Sequence, residues 1–258
     1  MEKKGNKTYY FVATLSPAEY CRDFNPGELN LGNKYRVDVY FNGITIWNPN
    51  LKAKFTKVFP IVKDAYDVLI STFMFREYIV SKRIFKLSLS LQRCIEAMNV
   101  KVESNLIWTL DYPGKIYTPS IKARVNVSWR RAAKFHQKIN GSVNHKIMLK
   151  DFRNCIISSE DNSFFFAYRI IDDIRRAINL EKNGFDDERN WDDLHKSLET
   201  NLNFMLPLIE VAKDVRHGNL NSELVIKARS RNRKNKIINI AFDLMRREFE
   251  RKFPGFLN

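Results

Sequence analysis

The sequence is poor in the residues that most often bind metals or form disulfides. Its three cysteines, Cys21, Cys94 and Cys155, are odd in number and far apart, so neither a disulfide framework nor a paired CxxC site is indicated. Its four histidines are also scattered, and none lies in an HExxH pattern or at Cys/His ligand spacing. We therefore expect no metal ion and no cofactor.

Long apolar runs are also missing. No run approaches the roughly 18 residues that a membrane-spanning helix needs, and the N-terminal stretch MEKKGNK lacks the apolar core of a signal peptide. The chain has no Gly-rich phosphate loop and no Ser/His/Asp constellation with a local signature. These absences predict a cytoplasmic protein that does not bind a membrane, and they give little support to nucleotide hydrolysis or hydride transfer.

Positive charge is abundant. The 258 residues include 44 Lys and Arg against 29 Asp and Glu, a formal net charge of +15. A charge of this size favours a polyanionic partner, and RNA is the partner that we expect. An acidic protein would satisfy the same charge. Because glycine and proline are few and 44% of the residues are hydrophobic, the chain is expected to be an ordered globular protein.

Residues 1–145 are predicted to form an α+β domain of unknown recognition role. Asn42-Gly43 between two alternating runs indicates a β-hairpin. Residues 53–59 indicate a strand, and the following helix is expected to begin at Pro60 and to bury one stripe as far as Ile79. Other alternating or β-branched stretches predict strands at residues 8–15, 85–91, 100–102, 106–110 and 121–127.

A short basic helix is predicted over residues 129–138. Its Arg130 and Arg131 are candidates for contact with RNA, although a solvated helix face explains the same charges. The polar stretch 140–142 is the expected linker, so a second domain is predicted over residues 150–258.

Two amphipathic helix patterns follow the linker. One runs over residues 164–178 and the other over residues 191–212, with a polar segment between them that predicts an antiparallel helical hairpin. Pro207 is expected to kink or split the second helix. Gly218 is expected to end it, because glycine adopts a positive φ without strain.

The second pattern ends in Val215-Arg216-His217-Gly218. An arginine beside a histidine at an exposed helix end can hold a phosphate and move a proton, which are the two tasks of RNA cleavage without a metal. A charged helix C-terminus with no chemistry fits the same residues. On the first helix, the spacing predicts the intrahelical ion pairs Arg169–Asp173 and Asp172–Arg176.

Three segments carry a family resemblance: FFFAYRIIDDIRR at residues 164–176, WDDL at 191–194 and AKDVRHG at 212–218. Together they resemble the HEPN superfamily of four- to five-helix bundles. Many members are dimeric, metal-independent ribonucleases of toxin–antitoxin, abortive-infection and CRISPR systems. Their signature is an arginine, four to six residues and a histidine. This chain keeps His217 and departs from the signature by placing Arg216 directly beside it.

The resemblance implies a role for each residue that matches the family's site. His217 would be the general base or acid for attack by a ribose 2′-hydroxyl. Arg216, with Lys213 nearby, would stabilise the phosphorane, and Asp172 or Asp173 would orient them. The resemblance also implies a homodimer formed through the helical domain and a role in bacterial antiviral defence or a toxin-type translation block.

A basic run after the tetrad is predicted to follow an RNA backbone, and a flexible charged loop would explain it equally well. Its candidate RNA-binding residues are Arg229, Arg231, Arg233, Lys234 and Lys236. The fold class expected for the whole chain is α+β: a mainly antiparallel β-sheet domain with one long helix, followed by an all-α HEPN-like bundle. The expected function is a metal-independent endoribonuclease, and the alternative is a non-catalytic nucleic-acid-binding or protein-interaction module with a degenerate bundle.

Overall fold

A computed structural model describes part of the first half of the chain and nearly all of the second. The described residues are 7–16, 28–30, 36–40, 43–47, 55–81, 88–98 and 131–256, apart from 133, 137 and 140. Side chains are described for residue 64, for 67–80 and for the described residues after 130 except residue 160. The chain divides into two compact units, residues 1–73 with 86–137 and residues 74–85 with 138–258.

The backbone of the first unit forms an antiparallel sheet. Its strands are β1 (Lys7–Ser16), β2 (Glu28–Asn30), β3 (Arg36–Tyr40), β4 (Gly43–Trp47) and β5 (Ser88–Met98). Their order is β2-β3-β4-β1-β5. Strands β3 and β4 pair in antiparallel register, with Val37 opposite Ile46, so the pairing that the Asn-Gly turn predicts is confirmed. The strands predicted at residues 100–102, 106–110 and 121–127 lie outside the described residues.

The long helix α1 spans Phe55–Ser81. The strand predicted over residues 53–59 is therefore wrong, and Pro60 lies inside the helix rather than at its first position. Phe55 and Phe59 are four residues apart, a spacing that fits one helix face as well as strand alternation. The side chains of residues 68–75 are all buried.

The described residues of the second unit include six complete helices and the end of α1. They are α2 (Val143–Ile157), α3 (Glu160–Asn183), α4 (Asp192–Ser197), α5 (Leu202–Arg216), α6 (Glu223–Ala228) and α7 (Arg231–Lys252). Helix α3 packs against α2, α4, α5 and α7, and its inward positions from Phe164 to Ile178 are fully buried. Helix α3 is therefore the central helix of the second unit.

The expected α+β class is corrected by these helices. Between residues 64 and 256, no residue whose side chain the structure describes lies in a strand and most such residues are helical; β5 is described there by its backbone alone. The expected bundle of four to five helices is also wrong in number. The physical reason is that buried positions recur with a 3.6-residue period in the helices from residue 143 onward, whereas the period-two patterns all end by residue 127.

An aromatic cluster forms the core of the second unit. The ring of Phe75 lies 5.0 Å from that of Phe152, 5.4 Å from that of Phe249 and 5.6 Å from that of Phe256. Phe152 also lies 4.6 Å from Phe242. Each such pair adds about 0.5–1.5 kcal/mol to the free energy gained by burial alone. These contacts fasten the end of α1 to α2 and α7.

The second amphipathic pattern is interrupted, but not at Pro207. Helix α5 continues through Pro207, and the break lies between α4 and α5. Glu199 there has a φ of 50°, and the Asn201 side chain accepts a hydrogen bond of 3.0 Å from the Phe204 N–H. This capping bond starts α5 soon after α4 ends, because it satisfies an N–H that has no partner within the helix.

No helix in the described part of the chain combines the length and apolar character needed to cross a membrane.

Candidate functional site

The Arg216-His217 pair lies at the C-terminal end of α5. Val211 and Ala212 are buried, whereas Lys213, Arg216 and His217 are exposed. The His217 backbone N–H donates to the Lys213 carbonyl at 3.1 Å. Gly218 follows with a φ of 74°, so the glycine predicted to end the helix is confirmed. The helix thus presents three basic or imidazole side chains to solvent at its negative end.

Arg216 acts electrostatically on α3. Burial, with a contribution from the Asp172 carboxylate, raises the pKa of the half-buried Tyr168 above its ordinary value, and the charges of Arg216 and Arg175 oppose this rise. The end of α5 therefore lies close to the Tyr168–Asp172 turn of α3. The structure describes no hydrogen bond or ion pair of Arg216 with Asp172 or Asp173, so the predicted orienting contact stays a prediction, and Tyr168 is the residue of α3 on which the charge of Arg216 acts.

Asp172 is held by Arg175. The guanidinium of Arg175 is only 2% exposed, and its Nε donates to Asp172 Oδ1 at 3.0 Å. The same guanidinium bonds the Asp186 carboxylate at 2.9 Å and the Asp187 carbonyl, and lies 5.5 Å from the ring centre of Trp191. Asp172 is therefore fixed in place with respect to α3 and the loop that follows it.

The predicted intrahelical ion pairs are replaced by pairs between elements. Arg176 pairs with Asp186 at 3.2 Å rather than with Asp172. Arg169 Nε lies 3.1 Å from Asp151 Oδ2 on α2, an ion pair without the angle of a hydrogen bond. Both predictions are wrong because acidic groups outside α3 lie within reach of the same arginines, and spacing along one helix carries no information about them.

Asp172 and Asp173 have different surroundings. Burial, together with the negative charge of Asp151, raises the pKa of Asp173 to about 7. Burial likewise raises the pKa of Asp151 to about 6, against the opposing charge of Arg169. Asp173 Oδ2 has no hydrogen-bond partner among the described residues. Asp173 is therefore influenced by the negative charge of Asp151 on α2, whereas Asp172 is hydrogen-bonded to Arg175.

The basic run is helical. Arg231, Arg233, Lys234 and Lys236 all lie in the first two turns of α7, so the flexible-loop alternative is wrong. Arg231, Arg233 and Lys236 are exposed, and Lys234 is half-buried. Because α7 has no acidic residue in its first turn, these cations face the positive end of the helix dipole, where each charge destabilises the helix by about 0.3–1 kcal/mol.

The other basic candidates have different positions. Arg229 is already bonded: its guanidinium donates to both carboxylate oxygens of Asp161 at 3.0 Å and to the Leu220 carbonyl at 3.0 Å. Arg131 is an exposed helical residue of the first unit, and Arg130 lies outside the described residues. Among the predicted RNA-binding residues that the structure describes, Arg231, Arg233, Lys234 and Lys236 therefore lie together in the first two turns of α7.

Residues 132–251 are similar to a domain of unknown function, the C-terminal domain of DUF8168. The matched segment contains α2 to α6 and nearly all of α7, and hence both the Arg216-His217 pair and the basic start of α7. Neither curated proteins nor solved structures gave a match to the chain.

Proposed function

We propose that the second unit binds RNA through the basic start of α7, a surface formed by Arg231, Arg233, Lys234 and Lys236. The observation that carries this proposal is the placement of these cations at the positive end of a 22-residue helix without an acid in its first turn. Such an arrangement is unfavourable for the helix alone and becomes favourable when an anion is bound.

A phosphate backbone matches this surface in its chemistry. The N–H groups of the first turn of a helix have no intrahelical partner and point toward an anion, and the flexible cations around them supply further contacts. The net charge of the full chain, +15, also attracts a polyanion electrostatically. RNA is proposed rather than another polyanion because of the resemblance of residues 164–218 to the HEPN superfamily.

The binding proposal is tested with two variants of equal net charge. We expect Arg231→Gln/Arg233→Gln to weaken binding of a fluorescent single-stranded RNA at least tenfold and to reduce the salt slope of log K by about 0.7 for each phosphate that the variant no longer neutralises. The matched control Arg189→Gln/Lys196→Gln removes two exposed charges elsewhere on the unit. Equally weakened binding in both variants would contradict the site, because it would show that net charge alone accounts for the binding.

RNA cleavage without a metal is a second candidate function. It is favoured by the position of Arg216, which is exposed beside His217 and acts on the Tyr168–Asp172 turn. In this mechanism His217 accepts the proton of a ribose 2′-hydroxyl, whose oxygen attacks the adjacent phosphorus. The 5′-oxygen leaves and takes up a proton, and a 2′,3′-cyclic phosphate forms. Arg216 stabilises the charge that develops on the phosphoryl oxygens.

The biological setting of this chemistry follows from the same resemblance. We infer a homodimer that brings two His217 residues toward one cleft, and a role in bacterial defence or in a toxin-type block of translation. Sedimentation equilibrium of the full chain measures the first point, and a mass equal to one chain at micromolar concentration would contradict it. Growth arrest on induced expression, relieved by His217→Ala, measures the second.

A further inference from the structure

Ser142, His145 and Glu248 form a hydrogen-bonded chain that includes neither the Arg216-His217 pair nor the basic residues at the start of α7. Ser142 Oγ lies 2.6 Å from His145 Nδ1, and His145 Nε2 lies 3.1 Å from Glu248 Oε1. Ser142 is the residue that precedes α2, His145 lies in its first turn, and Glu248 is on α7. A serine, an imidazole and a carboxylate are thus connected in the order that nucleophilic catalysis requires.

The partners of Glu248 determine where the imidazole carries its proton. Glu248 is 0% exposed, and its carboxylate accepts hydrogen bonds from Arg251 Nε at 2.8 Å and from Arg251 Nη2 at 3.1 Å. A carboxylate paired in this way is ionised and can only accept. In the neutral ring, Nε2 therefore carries the hydrogen and donates to Glu248. Nδ1 is left as the acceptor for the Ser142 hydroxyl.

Ser142 is positioned to react rather than to cap its helix. Its Oγ makes no side-chain capping bond to α2, although a serine at this position ordinarily accepts one. The N–H groups of the first turn of α2 consequently remain available beside the hydroxyl, and they point toward the end of the helix where it lies. Ser142 is partly exposed, and Val143 next to it is 67% exposed, so a small molecule has access.

We propose that Ser142 is a nucleophile toward esters with a small apolar acyl group. The hydroxyl oxygen attacks the ester carbonyl carbon as its proton passes to His145 Nδ1, and the first-turn N–H groups of α2 stabilise the oxyanion. The bond between carbonyl carbon and alkoxy oxygen breaks, and the alcohol leaves with the proton from Nδ1. Water then releases the acyl group as a carboxylic acid by the same proton route. A small apolar acyl group is proposed because the Phe253 ring lies 4.9 Å from the His145 ring and the apolar side chain of Val143, next to Ser142, is exposed.

The test is covalent labelling of the folded full chain with a fluorophosphonate probe, which forms a bond from the serine oxygen to phosphorus as fluoride leaves. Peptide mapping by mass spectrometry locates the adduct. Ser222 and Ser230 are internal controls, because they precede α6 and α7 in the same way and no ring nitrogen contacts their hydroxyls in the described contacts. We expect Ser142 to react at least tenfold faster than either serine.

The variant Ser142→Ala completes the test. We expect it to keep its circular dichroism spectrum, since Ser142 makes no capping bond, and to lose both the adduct and the release of nitrophenol from p-nitrophenyl acetate. Absence of an adduct on the folded native chain would overturn the proposal. So would equal labelling of the three serines, equal labelling of Ser142 when the chain is heat-denatured before the probe is added, or ester hydrolysis that Ser142→Ala leaves intact.

Glu248 acts through His145 as a positioning residue, and the ring tautomer reports this role directly. We expect ¹⁵N NMR of histidine-labelled native protein to show the His145 ring with its hydrogen on Nε2. In Glu248→Gln the amide can donate to the ring instead, so the Nδ1-protonated form should appear and the labelling rate should fall at least tenfold. A native ring with its hydrogen on Nδ1 would contradict the proposed proton route, whatever the stability of the variant.

Discussion

The buried guanidinium of Arg175 pairs with Asp186 at 2.9 Å and with Asp172 at 3.0 Å, and so joins the middle of α3 to the loop that follows the helix. Asn179, one turn further along α3, donates to the Asp187 and Asn190 carbonyls of the same loop at 2.8 and 3.2 Å. Asp172 is therefore bonded to an arginine of its own helix whose guanidinium is buried and is fixed by the following loop.

Replacing Arg175 by lysine should destabilise the second unit by about 2–4 kcal/mol, because a single ammonium cannot replace the planar fork and leaves buried acceptors unpaired. Urea unfolding followed by circular dichroism measures the change. Arg176→Lys is the matched control: Arg176 is exposed and also pairs with Asp186, so its replacement should cost less than about 1 kcal/mol. Similar destabilisation in both variants would contradict the structural role of Arg175.

Asp173→Asn should stabilise the protein at pH 8 and reduce the dependence of stability on pH. Because the pKa of Asp173 is raised to about 7 in the folded state, folding takes up a proton. Its stability contribution is present below the ordinary aspartate pKa and is lost as pH rises through about 7. Asparagine resembles the protonated acid, so we expect a gain on the order of 1–2 kcal/mol at pH 8 and little change near pH 4.

Unfolding measured from pH 4 to pH 8 checks this expectation. Glu188→Gln removes an exposed acid of the second unit and serves as the control, with a pH profile that should overlay that of the native chain. Some pH dependence should remain in Asp173→Asn, since burial also raises the pKa of Asp151 to about 6. Lower stability of Asp173→Asn at pH 8 would show that the carboxylate form is the one that the fold prefers.

Neutralising the start of α7 should stabilise the free protein. Each of Arg231 and Arg233 opposes the helix dipole, so Arg231→Gln/Arg233→Gln should gain about 0.6–2 kcal/mol at low salt. The gain should shrink when phosphate or RNA is added, because the anion stabilises the native chain more than the variant. Thermal unfolding with and without anion measures both effects. A gain that Arg189→Gln/Lys196→Gln reproduces would point to net charge alone.

Cleavage of RNA should depend on the end of α5. In excess EDTA, we expect the native chain to cleave mixed-structure RNA, with the rate reduced at least a hundredfold in His217→Ala and in Arg216→Ala. Lys196→Ala, which removes an exposed cation from α4, should cleave at the native rate. If the native chain binds RNA but leaves it intact, the proposed cleavage is contradicted and the proposed binding is not.

Sequence periodicity predicted where the helices of the second unit lie, but it did not predict which residues of different helices contact each other. The α3 pattern, the polar segment after it and the positive φ of Gly218 follow from local rules: apolar spacing, turn composition and the freedom of glycine. The break between α4 and α5 was misplaced at Pro207, because a capping asparagine four residues after α4 determines where the new helix begins. Local rules also misassigned residues 53–59, where strand and helix spacing coincide.

The sequence by itself determined the charge of the chain, the amphipathic faces of α3 and α5, and the placement of Arg216 and His217 at a helix end. Only the tertiary structure decided that the charge of Asp151 acts on Asp173, that Arg175 binds the following loop, and that His145, which contacts Ser142, also contacts Glu248, 103 residues later. The reason is physical. Helical spacing specifies neighbours three and four residues apart, whereas contacts between distant residues depend on how the buried faces of separate helices pack.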